Sequence, residues 1–208
     1  MPATRTRART QSTAMADGDV GSAAQRERRK RILDATLALA SKGGYDAVQM
    51  RAVAEGADVA LGTLYRYFPS KVHLLVAALA MQMDEIQDKL DRKPIPGDTP
   101  ADRILFVLSR ITRIWQRDPM LTEAMTRAFM FADPGAATEV STFASQMVRK
   151  FTKAMHDGEP SADDIAIARV IGDVWLVALV AWVTRRASAD DVNSRLELAA
   201  RLLLREPA

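Results

Sequence analysis

The 208-residue chain has no cysteine. Disulfides and thiolate-bound metals are therefore excluded, and a reducing cytoplasm, next to the nucleoid, is the expected compartment. Histidine is scarce. His73 and His156 are the only two, and neither has metal-ligand spacing to Asp, Glu or the other. There is no glycine-rich phosphate loop and no nucleophile–base arrangement, so an enzyme is not expected, and neither is a cofactor or a metal. The longest apolar run, Val174 to Val183, falls well short of the roughly 20 residues that span a bilayer. No membrane partner is expected. Nor is a secretion signal, because the charged N-terminal stretch has no apolar core.

Hydrophobic residues make up 48% of the chain, enough for a globular protein with a sizeable core in one or two domains. The net charge of +3 is unevenly spread. Residues 1–74 contain 12 Lys/Arg and 7 Asp/Glu, a balance of +5; the remainder contains 17 and 19, a balance of −2. A basic end on a near-neutral body points to a polyanionic partner. Residues 1–21, rich in Arg, Thr and small side chains, read as a disordered basic arm.

Beyond the arm, helix signals dominate. Val140, Phe143, Ala144, Met147, Val148, Phe151, Ala154 and Met155 recur at helical spacing, and no segment alternates with period two. Ser22 with Gln25 has capping-box spacing, and Gly43-Gly44 stops the helix that follows. Thr99-Pro100, Asp118-Pro119 and Asp133-Pro134 pair a cap with proline at the first helical position. Ser161/Asp164 and Ser188/Asp191 repeat the cap-plus-acid pattern. Nine helices are predicted, near 22–42, 49–56, 60–66, 70–92, 99–117, 119–131, 134–157, 161–186 and 188–205. A linker-like stretch lies at 92–99.

Within 49–71, QMRAVAEGADVALGTLYRYFPSK, two short helices flank a tight turn containing Gly56, the pattern of a helix-turn-helix. Leu64 and Phe68, spaced i, i+4, can anchor the second helix inward beside Val59. Leu61, Gly62, Thr63, Tyr65, Arg66 and Tyr67 are left facing outward. Such a surface suits double-stranded DNA. Gly62 permits close backbone approach, and Thr63 can meet a thymine methyl. Tyr65, Tyr67 and Lys71 can reach phosphates, as can the helix N-terminus capped by Ser70. Arg51 can reach a base edge or a phosphate. The alternative is that the two tyrosines only seal a small core.

The run GTLYRYFPSK after VAEGADVAL resembles the DNA-binding domain of the TetR family of regulators, whose Gly-Thr-Leu-Tyr-x-Tyr-Phe-x-x-Lys signature it matches without a gap. By that resemblance Tyr65 and Lys71 occupy phosphate-binding positions, and Leu61, Gly62 and Thr63 the base-facing start of the recognition helix. Arg51 and Tyr67 fall at positions that often touch DNA, while Arg66 falls at a variable one. A second likeness, covering about Gly21 to Leu204, is to members that repress sterol breakdown in actinobacteria. It implies a repressor of such genes, released by a steroid-derived effector such as a coenzyme A thioester. A regulator answering to another apolar ligand, in efflux or fatty-acid metabolism, is the alternative within the family. A DNA-organising protein without an effector is the alternative outside it.

In QRERRKR, residues 25–31, Arg26, Arg28, Arg29 and Lys30 can contact phosphate; an ordinary solvated helix face is the other reading. Arg5, Arg7 and Arg9 could enter a minor groove. Further on, methionines and aromatics gather at helical spacing. Met81, Phe106, Trp115, Met120, Met125, Phe129, Met130, Phe143, Met147, Phe151 and Trp175 are the candidate lining of an adaptable apolar cavity, or simply core. On the helix over 99–117, Arg103, Arg110, Arg113 and Arg117 share an arc of about 80°, which is either a wet basic face or the cationic mouth of that cavity. The helix through 174–183 is apolar on every side and must be covered on every side. A homodimer is therefore expected, with Trp182, Val183, Leu196 and Leu203 in its interface. The fold class is all-α. A three-helix DNA-binding domain (22–70) leads into a helical ligand-binding and dimerisation domain (71–208).

Overall fold

The computed structural model describes residues 8–90 and 94–204, with side chains for 23–86 and 94–204. Among the described residues the regular structure is entirely helical. Nine α-helices run in order: α1 (Ala8–Ala47), α2 (Met50–Gly56), α3 (Leu61–Tyr67), α4 (Lys71–Leu90), α5 (Pro100–Gln116), α6 (Pro119–Met130), α7 (Ala137–Met155), α8 (Ala162–Val183) and α9 (Ala189–Leu203). The expected start at Ser22 lies inside α1, which reaches back over part of the segment read as an arm. Arg5 and Arg7 lie outside the described residues, and Arg9 outside those with described side chains.

Local chemistry sets the ends. Gly43 and Gly44 leave helical geometry (φ −156°, ψ 27° and φ 67°, ψ −160°) and kink α1 just before its last turn. Gly44 is held to glycine by its backbone. Its φ is positive, and a Cβ there would stand 2.8 Å from Glu123 Oε2. Thr99/Asp102, Ser161/Asp164 and Ser188/Asp191 form complete capping boxes at α5, α8 and α9. Asp118 caps α6 through the Leu121 N–H. Asp133-Pro134, expected to open α7, opens a single 3₁₀ turn (Pro134–Ala136) instead, because Asp133 caps the Gly135 N–H two residues on. The turn between α2 and α3 also differs in detail. Its left-handed residue is Asp58 (φ 53°), while Gly56 stays helical and a Cβ on it would meet Ala35 Cβ at 3.4 Å. Gly56 therefore serves the close approach of α2 to α1.

One continuous apolar core runs from Ile32 and Leu33 through Leu64, Phe68, Leu74 and Leu75 into Met83, Ile104, Leu108, Met125, Phe151, Ile171 and Leu179. α1 packs against α2, α4 and α6, so the helix-turn-helix end is seated directly on the larger domain. α8 is long and apolar enough, by length and composition alone, to cross a membrane. Yet Ala168, Ile171, Trp175, Ala178 and Leu179 are buried in the domain.

Candidate functional site

α3 projects from the small domain by its two anchors. Leu64 and Phe68 are buried, and Phe68 N–H closes the helix by donating to Leu64 O at 2.9 Å. On the other side Gly62, Tyr65 and Arg66 are exposed, with Tyr65 keeping 47% of its surface. Thr63 is half-buried, and Arg66 Nη2 lies 3.4 Å from its hydroxyl. Leu61 and Tyr67 are half-buried against the core. Leu61 thus presents only part of its side chain outward, and Tyr67 leans on Phe68 with ring centroids 6.3 Å apart. Arg51 is exposed at the start of α2. From α1, Arg29 lays its guanidinium 5.5 Å from the Phe68 centroid, beside the end of α3, while Arg28 is half-buried and Lys30 is paired with Asp34 at 2.8 Å.

Gly62 is informative because the fold does not require it. Its φ is not positive, and a Cβ there would meet nothing within 4 Å. A helix pays for glycine with about 0.5–1 kcal/mol relative to alanine. The fold itself therefore leaves room for a side chain at this position.

Lys71 sits differently from its neighbours. Half-buried, it holds its ammonium 3.9 Å from the Tyr45 ring centroid. Burial draws its pKa below the ordinary lysine value, and the nearby Asp46 carboxylate opposes the shift. The same ring carries Arg127 from α6, with the guanidinium carbon at 4.3 Å. Arg127 also reaches Asp46 (3.6 Å) and Glu123 (3.5 Å), and Glu123 accepts the Tyr45 N–H at 2.9 Å. A second tie joins α4 to the α6–α7 connection. His73 Nε2 donates to Gly135 O (2.9 Å), which leaves Nδ1 to accept from Ser70 Oγ at 2.8 Å. Glu123 and Arg127 are spaced i, i+4, but nothing in the sequence ties them to Tyr45 and Asp46, which lie far away along the chain.

α6 has an opposite face. Its Met125, Thr126 and Phe129 line a cavity with Trp115 of α5, Phe143 and Met147 of α7, and Trp175 of α8. The cavity has a volume of about 110 Å³. Trp115 and Trp175 meet edge-to-face (6.1 Å), as do Phe129 and Phe143 (5.2 Å). Of the expected lining, Trp115, Met125, Phe129, Phe143, Met147 and Trp175 come together here. Phe151 is fully buried just behind Gly172, and Met81 packs half-buried on the core. Phe106 borders a separate depression between α5 and α9. Met120 and Met130 lie on the surface, about half exposed, because both fall on the outer side of α6.

The arginines of α5 divide as well. Arg103 donates to Ala154 O (3.0 Å) and Met155 O, closing the C-terminus of α7, so it is a cap. Arg110, Arg113 and Arg117 are exposed, and none lines the cavity. The charged residues at its edge are Arg169 and Asp173, both on α8. Outward on α8 and α9 lie Val170, Val177, Leu198, Leu202 and Leu203, each exposed by a third or more. Trp182 and Val183 are half-buried. Leu196, expected at an interface, is buried against its own domain.

An exposed recognition helix, seated by a charged junction on a helical domain with an apolar cavity, defines a two-domain DNA-binding regulator. Residues 32–78 match the family described as "Bacterial regulatory proteins, tetR family", and residues 97–203 match "Tetracyclin repressor-like, C-terminal domain". The chain belongs to the TetR family of transcriptional regulators and is not an enzyme. It is 63% identical over 204 residues to the HTH-type transcriptional repressor KstR of Rhodococcus jostii RHA1, covering 97% of this chain and 95% of that protein. It is 62% identical over 190 residues to KstR of Mycolicibacterium smegmatis, covering 91% and 93%. A TetR regulator of Rhodococcus sp. RHA1 superposes with a TM-score of 0.81 at 32% identity, over 86% of this chain and 97% of that one. FadR of Thermus thermophilus, solved with lauroyl-CoA, shares the fold at 20% identity (TM-score 0.62, covering 85% and 93%).

Proposed function

We propose that the protein is a homodimeric repressor in the cytoplasm, bound to a palindromic operator of sterol or lipid catabolism genes and released by a steroid-derived acyl-CoA. The similarity to KstR supports the repressor role, and the acyl-CoA in the FadR relative supports the effector class. In this reading Arg29, Arg51, Thr63, Tyr65 and Arg66 meet DNA, and Gly62 lets the backbone approach. Phosphate contacts set orientation, and the start of α3 reads base edges. The apolar stripes of α8 and α9 meet a second copy, and a two-fold dimer sets recognition helices about 34–36 Å apart.

The observation that carries the release mechanism is the double duty of α6. Met125 and Phe129 face the cavity, while Glu123 and Arg127 hold Tyr45 and Asp46 of the DNA-binding end. The cavity is too narrow for a steroid body, so occupancy must part α6 from α7 and α8, with Met125 and Met147 adapting. Shifting α6 strains the junction on Tyr45 and Lys71, and with it the seat of α3. The ligand favours the displaced state only by binding it more tightly than the DNA-bound one. Titrating steroid coenzyme A thioesters into the protein on its operator tests this. Release with a saturating midpoint is expected, and full DNA occupancy at saturating thioester would refute the effector assignment.

A further inference from the structure

The cations around the helix-turn-helix are held in two ways. Lys30 of α1 is paired with the Asp34 carboxylate at 2.8 Å, which offsets its charge. Lys71 opens α4 just after the Phe68 that ends α3, and it forms no ion pair among the described residues. Its ammonium rests on the Tyr45 ring instead, 3.9 Å from the centroid. Asp46 and Glu123, the carboxylates that act on Lys71, are taken by Arg127 at 3.6 and 3.5 Å. Arg29 is treated like Lys71, with its guanidinium over the Phe68 ring. An aromatic face holds a cation through its quadrupole, without cancelling the charge or using up the N–H donors. A carboxylate does both. Lys71 is therefore fixed in place at the foot of the recognition helix with its charge and donors unspent.

We infer that Tyr45 is a positioning residue for operator binding: its ring holds the Lys71 ammonium in place for a DNA phosphate oxygen. The inference rests on the DNA-interface reading above, and it gives Tyr45 itself no contact with DNA. A lysine that moves freely in the unbound protein must be ordered when it meets a phosphate. That ordering lowers affinity by up to about thirtyfold. On the Tyr45 ring the side chain is ordered when the protein folds, before DNA arrives. Arg127 completes the arrangement, because it draws off the two carboxylates that would compete with phosphate for the ammonium.

The test uses the full-length protein without effector, titrated onto its operator duplex over a range of salt. Lys71→Met should weaken binding about tenfold or more and lower the salt slope by about 0.9 for each bound subunit. Tyr45→Phe keeps the ring and should bind like the wild type. Tyr45→Leu removes it and should weaken binding by about threefold to thirtyfold, but change nothing in a Lys71→Met background. A merely structural Tyr45 would weaken binding in both backgrounds. A second series preserves packing where Tyr45→Leu loosens the fold. Phenylalanines with increasing numbers of ring fluorines, placed at position 45, keep the shape and weaken the attraction for a cation stepwise. Operator affinity should fall along that series only while Lys71 is present. A flat series, or a fall that persists in Lys71→Met, would overturn the inference. So would a rise in affinity, which would mean that the ring keeps the ammonium away from DNA. If Lys71→Met leaves affinity and salt slope unchanged, the DNA-interface reading fails at Lys71, and this inference fails with it.

Discussion

Gly62→Ala should separate folding from recognition. Gly62 is the second residue of α3, its backbone is not left-handed, and a Cβ finds nothing within 4 Å. The new methyl therefore strains nothing inside the protein. An interior helical Gly→Ala change stabilises by about 0.5–1 kcal/mol, and a first-turn position should give about the lower figure. For a chain of this size that raises the melting temperature by about 1–2 °C. In the proposed complex the same methyl would face the groove wall and push the duplex back by about a carbon–carbon bond length. Phosphate hydrogen bonds from Tyr65 and its neighbours would then exceed about 3.5 Å and weaken sharply. Losing one or two contacts at about 1–1.5 kcal/mol each lowers operator affinity about tenfold to a hundredfold. Melting followed by tryptophan fluorescence and operator binding followed by anisotropy, on one preparation, measure both arms. A lower melting temperature would show that the fold needs Gly62 after all. An unchanged operator affinity would remove α3 from the interface.

Arg127→Ala removes two solvent-screened ion pairs and a cation–π contact, which together should lower the melting temperature by only a few degrees. It should nevertheless shift the effector midpoint for operator release, and an unchanged midpoint would take α6 out of the coupling. His156 Nε2 lies 2.9 Å from Asp164 Oδ2 where α7 gives way to α8. The Ser161 hydroxyl, followed by His156, holds Asp164 down at about 2, and Asp164 raises His156 above its ordinary value. Asp164's contribution is present above pH 3.8 and lost towards 2; that of His156 is present below 6.5 and lost as pH rises through its raised value. The melting-temperature gap between wild type and Asp164→Asn should therefore be widest between about pH 4 and 6.5 and narrow on both sides. A gap independent of pH refutes the pairing. Val177→Glu, placed on a side chain that is 62% exposed, should yield a folded monomer by sedimentation with much weaker palindrome binding. A persistent dimer would locate the interface elsewhere.

The elements legible in the sequence are those whose signals are local. A cap and its acid three residues apart predict α8 and α9, and a cap followed by proline predicts α5, because the partners lie on one helical turn. The GTLYRYF run tells inward Leu64 and Phe68 from outward Tyr65 for the same reason. Periodicity places a residue on a face but does not say what that face meets. Met120 and Met130 carry apolar side chains on the outer side of α6, and Leu196 turns into its own core. Arg103 looks like one more member of a basic stripe until α7, fifty residues later, brings its carbonyls alongside. Tyr45 and Glu123 meet across 78 positions, and only the packing of α6 on α1 joins them.

The Tyr45 junction has a consequence for engineering. Regulators of this architecture invite exchange of their parts, with one protein's DNA-reading end grafted onto another's sensing end. Here a cut after α4 would leave Tyr45 and Asp46 on one piece and Glu123 and Arg127 on the other, while Gly44 is shaped around a carboxylate supplied from across the seam. On the proposed coupling, a hybrid that ignores this should fold and bind DNA yet stay deaf to its inducer. A working hybrid must carry residues 43–46 and α6 across together, as one transplanted unit.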